Sequence, residues 1–234
     1  MPEARSARVP GPLPVVEICR RLRTVYGPVS LGERLPPLDE LIATILSQNT
    51  SDRNSDSAFA ELRRCFPDWD AVRRARVAQV ARAIRAGGLA RQKAPRIRSI
   101  LRQIHAQRGE LSLDFLRDLP SAEGLRYLRS FAGVGPKTAA CVLLFACDKP
   151  VLPVDTHVHR VSRRLGLIGP KTSAEKAHEG LARITPPGRV LEFHVQLIRH
   201  GRRVCTARDP RCEECVLLDG CPEGRERLGV SPAP

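Results

Sequence analysis

Four cysteines lie within seventeen residues in the stretch CTARDPRCEECVLLDGC, near the C-terminal end of the sequence. They are Cys205, Cys212, Cys215 and Cys221, separated by six, two and five residues. Four thiolates this close together can share one metal centre. We expect a cytoplasmic protein because the N-terminal stretch lacks the apolar run of a secretory signal, and clustered cysteines in that compartment indicate metal rather than disulfides. The spacing alone leaves a four-cysteine zinc site and an iron–sulfur cluster open.

A lysine follows a glycine-rich turn in the stretch GVGPKTA. Gly133 and Gly135 permit a tight turn around Val134, and Pro136 suits the first turn of a helix. Backbone N–H groups at such a helix start bind phosphate oxygens, although an ordinary helical corner has the same pattern. Lys137 would lie in the first turn, where the helix dipole disfavours a cation. A lysine that loses its proton there is a nucleophile that can form a Schiff base.

An aspartate, Asp155, opens the helical stretch DTHVHRVSRRLG eighteen residues after Lys137. A carboxylate at a helix N-cap is favoured as the anion. A good cap is sufficient reason for an aspartate in any protein. Asp155 therefore has a chemical role only if the fold brings it close to Lys137.

The charge of the chain is strongly positive and unevenly distributed. The 234 residues carry a formal net charge of +14, and residues 71–109 contain ten arginines and one lysine without an acidic residue. Such an excess attracts phosphate backbones, although solvated helix faces give the same composition. Only nine aromatic residues are present, which disfavours a platform for stacked single-stranded bases.

The apolar pattern predicts an all-α protein. Apolar residues recur at helical spacing in PLDELIATILSQ, and PKTAACVLLFAC is apolar on nearly every side, as in a buried helix. We expect one helix over AVRRARVAQVARAIRAGG, another that begins after Pro95, and a capping box of Thr172 with Glu175. No stretch shows the alternation of a strand.

Taken together, GVGPKTA, VDTH and the cysteine spacing resemble the endonuclease III family, the iron–sulfur branch of the helix-hairpin-helix DNA glycosylases. The resemblance extends from about Leu41 to Cys221. It implies a six-helix barrel domain with the helix-hairpin-helix, an iron–sulfur domain, and a DNA cleft between them. We place the barrel domain at 30–149 and the iron–sulfur domain at 14–29 plus 150–223. Residues 1–13 and 224–234 are expected to be disordered tails.

The family's chemistry implies a role for each motif. The chain would be a base-excision-repair DNA N-glycosylase with AP lyase activity that removes oxidised pyrimidines from duplex DNA. Lys137 would attack C1′ of the flipped nucleotide and form a Schiff base, and Asp155 would activate it and stabilise positive charge on the sugar. The four cysteines would ligate a [4Fe–4S] cluster, which the resemblance favours over the zinc alternative.

The resemblance also implies a set of DNA contacts. Gly133, Val134 and Gly135 would bind the backbone of the DNA. Leu89 aligns with a residue that the family wedges into the duplex, although a leucine that caps a helix end fits the pattern equally well. Gln48 or Asn49 would fill the space left by the flipped base, and the sequence leaves open which of them does. Arg208 and Arg211, in the loop between the first two cysteines, would reach phosphates.

Two other functions are compatible with parts of the sequence. A monofunctional mismatch or uracil/thymine DNA glycosylase would share the cysteines, but such relatives usually lack the lysine. A non-enzymatic iron–sulfur DNA-binding or redox-sensing protein would leave Lys137 and Asp155 without a purpose. We expect a monomer that acts on damaged double-stranded DNA in the nucleoid and does not bind membranes.

Overall fold

The structure is a computed structural model that describes residues 12–230. Within this range the regular structure is entirely helical, and the prediction of an all-α fold is confirmed. None of the helices in the described range is long and apolar enough to cross a membrane. The α-helices are, in chain order, α1 (Val15–Tyr26), α2 (Pro37–Ser47), α3 (Asp52–Cys65), α4 (Trp69–Arg74), α5 (Val77–Ala83), α6 (Ala90–Arg108), α7 (Ser121–Arg129), α8 (Pro136–Cys141), α9 (Thr156–Arg164), α10 (Ala174–Ile184), α11 (Val190–Arg203) and α12 (Pro222–Arg227).

The chain forms two compact units. One consists of Leu31–Pro153 and contains α2 to α8. The other combines the described residues up to Ser30 with those from Val154 onward, and contains α1 and α9 to α12. The change from one unit to the other lies in the proline-containing stretch DKPVLPVD.

The core of the Leu31–Pro153 unit is built on the apolar face of α2. Pro37 begins this helix, and its predicted stripe is buried at 3% exposure or less: Leu38, Leu41, Ile42, Ile45 and Leu46. Burial of each such side chain contributes roughly 1.5–3 kcal/mol. The stripe packs with buried residues of α6 and α8 in one cluster, so that these three helices have fixed positions.

Two helix boundaries differ from the prediction. The stretch from Ala71 forms two helices, α4 and α5, because Ala75 and Arg76 are extended between them. Helix α6 begins at Ala90 rather than after Pro95, which lies inside it. A proline in this position removes the bond from its own nitrogen to the carbonyl four residues earlier and crowds that carbonyl, and packing of the apolar face overrides this cost.

The predicted buried helix is present. Helix α8 continues through a π-helical turn at Val142–Ala146, and nearly every side chain from Thr138 to Cys147 is buried. The helix is therefore anchored over most of its length. Only its first turn, with Lys137 partly buried, lies near the surface.

In the second unit, α11 packs against α1 and α9. Helix α10 is capped by Ser173, whose hydroxyl accepts a hydrogen bond from Lys176 N, and not by Thr172. The stretch offers two adjacent hydroxyl residues, and the sequence pattern selected the wrong one.

Part of the C-terminal tail expected at residues 224–234 is helical, and residues 231–234 lie outside the described range. Residues 222–227 form α12, in which Pro222 is the first residue and Arg225 is buried. A proline at the first position of a helix already has the φ that the helix requires, so Pro222 favours a helix start. The Pro- and Gly-rich composition was therefore the wrong signal for disorder in this segment. The predicted tail 1–13 lies outside the described residues except for Pro12 and Leu13, and Leu13 packs against Gly220.

Candidate functional site

The turn before α8 has the features that a close approach to phosphate requires. Gly133 has φ +79, and a Cβ at this position would collide with the side chain of Arg96. Gly135 is extended, with open space where a Cβ would be, so its backbone is accessible. The first-turn amides of Lys137 and Thr138 follow it, and such amides have no partner within their helix.

Val134 differs from its neighbours in this turn. Its side chain is buried at 4% exposure in the core, and its N–H donates to the carbonyl of Phe131 at 3.1 Å. Any contact of Val134 with the DNA backbone would therefore be made by its main chain, and the predicted contact stays a prediction. The contribution of its side chain is to anchor the turn.

Helix α2 carries a polar stripe toward Lys137 that the sequence analysis missed. The hydroxyl of Thr44 donates to Glu40 Oε1 at 2.9 Å. Burial raises the pKa of the Glu40 carboxyl, while the Thr44 hydrogen bond and the nearby positive charge of Lys137 oppose that rise. Residues 40, 44 and 48 recur every fourth position among apolar residues, and that spacing is the signal that would have identified the stripe.

The two candidates for filling the space of a flipped base, Gln48 and Asn49, have different surroundings. The amide of Gln48 donates to Thr138 Oγ1 at 3.2 Å, and its oxygen accepts from Arg96 at 3.0 Å. Asn49 is exposed and has φ 55, in the left-handed region. Gln48 is thus bonded inside its own unit, whereas Asn49 projects outward.

Leu89 occupies a second exposed, left-handed position. It has φ 50, is 45% exposed, and is the N-cap residue of α6 without a side-chain cap bond. A leucine is a poor choice for such a position on grounds of stability, because its Cβ is strained and its side chain is in water.

Asp155 is the N-cap residue of α9, in the other unit. Its Oδ1 accepts a hydrogen bond from Val158 N at 2.7 Å, and the side chain is partly buried. The carboxylate is therefore held by the helix start, as the sequence predicts. One of its oxygens is engaged as a cap, and a carboxylate has further acceptor capacity.

The four predicted metal ligands line one cavity: Cys205, Cys212, Cys215 and Cys221, with Arg164 and His200 among the other lining residues. In the described part of the chain, no three His, Cys, Asp or Glu side chains are close enough together to hold one metal ion. The fit of an iron–sulfur cluster therefore rests on the cavity that the four cysteines share and on the chemistry of their thiols. Burial raises the pKa of the Cys215 thiol to about 11 and also raises those of Cys212 and Cys221. Such buried thiols need a metal to hold them as thiolates.

Hydrogen-bond donors surround these sulfurs. The Arg164 guanidinium lies 3.3 Å from Cys205 Sγ and donates to the carbonyls of Thr206 and Ala207 at 2.7 and 3.1 Å. The N–H of Gly224 points at Cys221 Sγ at 3.3 Å. N–H groups directed at sulfur are a common feature around iron–sulfur clusters, where they tune the potential, and the donor set fits such a cluster.

His200 lies between the cavity and α1. Its Nδ1 is 3.0 Å from the Tyr26 hydroxyl, its Nε2 is 3.5 Å from Cys215 Sγ, and burial lowers its pKa to about 4. His200 is therefore a neutral, hydrogen-bonded core residue.

The loop between the first two cysteines carries the predicted arginines. Arg211 donates to the carbonyl of Arg203 at 2.6 Å and pairs with Glu214 at 3.1 Å, so part of its guanidinium is engaged within the loop. Arg208 is exposed. Of the two, Arg208 is the more accessible to a polyanion.

The comparisons with known proteins show the family of this chain. Residues 42–187 match the HhH-GPD superfamily base excision DNA repair proteins, and residues 205–221 match the iron-sulfur binding domain of endonuclease III. Over 191 residues the chain is 35% identical to endonuclease III of Thermotoga maritima, which covers 82% of this chain and 85% of that protein.

Two further likenesses concern a plant protein and a solved complex. An Arabidopsis thaliana protein described as a candidate DNA glycosylase is 40% identical over 169 residues, which is 72% of this chain but only 57% of the plant protein's length. A structure of a non-covalent endonuclease III–DNA complex matches with a TM-score of 0.79 and 27% identity, over 92% of this chain and 97% of the other. The chain therefore belongs to the HhH-GPD superfamily of base excision DNA repair proteins, as an endonuclease III-like DNA glycosylase with a [4Fe–4S] cluster.

Proposed function

We propose that this protein is a bifunctional DNA glycosylase and AP lyase that removes oxidised pyrimidines from damaged double-stranded DNA. The observation that carries the proposal is Lys137 itself, which stands in the first turn of α8 directly after a glycine turn with an accessible backbone. The phosphate-binding geometry of this turn would bring the sugar of a bound nucleotide next to the lysine amine.

Lys137 acts as the nucleophile in this proposal. Its amine attacks C1′ of the flipped nucleotide. The N–C1′ bond forms as the amine gives up a proton, the glycosidic bond breaks, and the base leaves with the electron pair and takes up a proton. Opening of the sugar ring gives an imine with Lys137. Loss of a proton from C2′ then expels the 3′ phosphate, which is the β-elimination step.

Asp155 acts as the ionised carboxylate beside the sugar. Glycosidic cleavage builds positive charge at C1′, and a fixed carboxylate stabilises that charge. The cap bond from Val158 N supports the role, since it holds the carboxylate in one orientation.

The four cysteines Cys205, Cys212, Cys215 and Cys221 would hold the [4Fe–4S] cluster. When bound, the cluster supplies no atom to the reaction; it fixes the shape of the loop that carries Arg208 and Arg211. We propose that Arg208 contacts DNA phosphate, while Arg211 chiefly braces the loop through Arg203 and Glu214.

We assign the remaining DNA contacts by which side chains are exposed. Asn49, rather than Gln48, would enter the duplex, because Gln48 is bonded to Thr138 and Arg96. Leu89 would be the wedge, which gives a use to a strained and exposed leucine. The protein would act as a monomer on nucleoid DNA.

Borohydride trapping on a duplex with a natural abasic site tests the lyase. Wild type should give a covalent protein–DNA adduct, and Lys137→Ala should not. Lys171→Ala removes an exposed lysine elsewhere and should trap like wild type. A wild type that excises bases without an adduct would be a monofunctional glycosylase, and one that does neither would be a DNA-binding or redox-sensing protein.

The preferred lesion requires a separate assay. A panel of duplexes that each contain one modified base should show the fastest excision for oxidised pyrimidines. Faster excision of thymine or uracil from mismatches would contradict the substrate class while leaving the lyase result intact.

A further inference from the structure

Asn49 and Leu89 share an unfavourable backbone conformation. With φ values of 55 and 50, both lie in the left-handed region, where a Cβ is strained. Each belongs to a short segment between helices, residues 47–51 and 85–89, which we call the probing segments. Strain of this kind persists only where the surrounding structure imposes it.

A buried lysine joins the two probing segments. Lys93, in α6, is 2% exposed, and its Nζ donates to Leu46 O at 2.6 Å and to Gly87 O at 2.8 Å. Leu46 lies just before the first segment and Gly87 lies inside the second. One ammonium group thus fixes the backbone three residues before Asn49 and two residues before Leu89.

The physical chemistry of Lys93 argues against a role as core filler. Burial lowers its pKa, so placing an ammonium here is costly, whereas a methionine would fill similar volume without that cost. Its two acceptors are carbonyls at the ends of helical segments, which lack helical partners and favour a cation. Lys93 therefore serves to form these two hydrogen bonds rather than to fill space in the core.

Arg96, one turn later on α6, extends the connection to the turn before α8. Its Nη1 donates to Gln48 Oε1 at 3.0 Å, and its side chain packs against Gly133. Gln48 in turn donates to Thr138 Oγ1 at 3.2 Å, next to Lys137. The first probing segment and the start of α8 are thus tied to the same helix.

We propose that Lys93 and Arg96 are positioning residues that hold both probing segments and the start of α8 in one fixed arrangement before DNA binds. The inference rests on the proposed function, since entry of Asn49 and Leu89 into a duplex is what gives the arrangement its use. Preorganised loops do not have to be ordered at the expense of binding energy. The bonds thereby favour recognition of a gap in the base stack over binding of intact duplex.

Hydrogen–deuterium exchange on the free protein tests the arrangement without DNA. Lys93→Met should speed exchange about tenfold or more in both probing segments, as the loss of hydrogen bonds to a charged group predicts. Arg96→Met should do so in residues 47–51 and at the start of α8, but not in residues 85–89. Arg102→Met removes an exposed charge from the same helix and should change neither segment.

A fluorescent duplex tests the purpose of the arrangement. The probe contains a tetrahydrofuran abasic analogue opposite 2-aminopurine, whose emission reports unstacking. Wild type should change the emission and prefer this probe to intact duplex. Lys93→Met should lose about tenfold of that preference, whereas Arg102→Met should weaken both affinities alike and keep the preference.

The outcomes of these experiments separate the positioning role of Lys93 and Arg96 from the DNA-probing role of Asn49 and Leu89. Folded Lys93→Met protein with wild-type exchange in both probing segments would overturn the positioning role, and a general rise of exchange throughout the core would reduce it to a stability effect. If Lys93→Met does not fold, Arg96→Met decides, and wild-type exchange in residues 47–51 of that variant would overturn the positioning role. A wild type without an emission change or base excision would overturn the DNA-probing role and the proposed function, whatever the exchange shows.

Discussion

Glu40 is a half-buried carboxyl in the first turn of α2, and its protonation should affect folding. Burial is the largest influence on its pKa and raises it above the ordinary 4.5. A raised pKa means that the folded protein favours the protonated acid. Wild type should therefore be most stable, with respect to this group, below pH 4.5 and lose that stability as the pH rises toward the raised pKa.

Substitution of Glu40 by Gln should remove this loss. The free energy of unfolding of Glu40→Gln, relative to wild type, should increase as the pH rises from 4.5 toward neutrality, as measured by urea unfolding at a series of pH values. Glu61→Gln is a control of opposite sign. Arg64 holds the pKa of Glu61 at about 2, so the stability of Glu61→Gln relative to wild type should decrease as the pH rises, and it should change only below pH 4.5. A relative stability of Glu40→Gln that is flat or falls with pH would contradict the burial argument.

At the scale of elements, α9 allows the structural and the chemical roles of Asp155 to be separated. Asp155→Asn keeps an N-cap acceptor but removes the charge, so stability should stay within about 0.5 kcal/mol while base excision falls by a factor of about 100 or more. Asp155→Ala should lose about 1 kcal/mol as well. Thermal unfolding and single-turnover excision measure the two effects. Full activity in folded Asp155→Asn would reduce this residue to a cap.

The loop that carries the cysteines depends on α9 through Arg164. This side chain is 5% exposed and bonds to Cys205 Sγ, to two loop carbonyls and, at 2.9 Å, to Glu223. Arg164→Ala should cost about 1–3 kcal/mol, because it removes the buried donor of the Thr206 and Ala207 carbonyls. Faster loss of the visible absorbance of the cluster would report it. Arg163→Ala, at the exposed neighbouring position, is the control. Equally fast loss of absorbance in the two alanine variants would contradict the role of Arg164 in holding the loop.

At the scale of the whole molecule, removal of iron should affect the two units unequally. The cysteines lie in the unit that contains α1 and α9 to α12, whereas the apolar core of α2, α6 and α8 contains no ligand. Chelation of the iron should therefore loosen residues 205–230 and weaken DNA binding about tenfold or more, while the amides of α2 and α6 stay protected from exchange. Unchanged DNA affinity of the iron-free protein would contradict the DNA-positioning role of the cluster.

The sequence was informative where one local signal dominates. The stripe of α2, the aspartate cap of α9 and the buried α8 each depend on periodicity or on a single cap, and all three are present. Prediction failed where a local signal is ambiguous or where packing overrides it. Pro95 lies inside α6, Pro222 begins a helix in a supposed tail, and Ser173 rather than its neighbour caps α10.

The residues of the candidate site likewise fall into those that the sequence identifies and those that it does not. The motifs contain Lys137, Asp155 and the four cysteines, because their chemistry is tied to residue type. Lys93 and Arg96 could not be identified from sequence, because they lie in a basic stretch where every lysine and arginine looks like a solvated charge. Only coordinates distinguish Lys93, with two buried carbonyl partners, from exposed Arg102 on the same helix.

The central claim is that the amine of Lys137 becomes covalently attached to the sugar. Mass mapping of the peptides in a borohydride-trapped complex tests it most directly, because it locates the modified residue. The account predicts a reduced sugar adduct on Lys137 and on no other lysine. An adduct on a different amine, or rapid strand cleavage by Lys137→Ala, would contradict it.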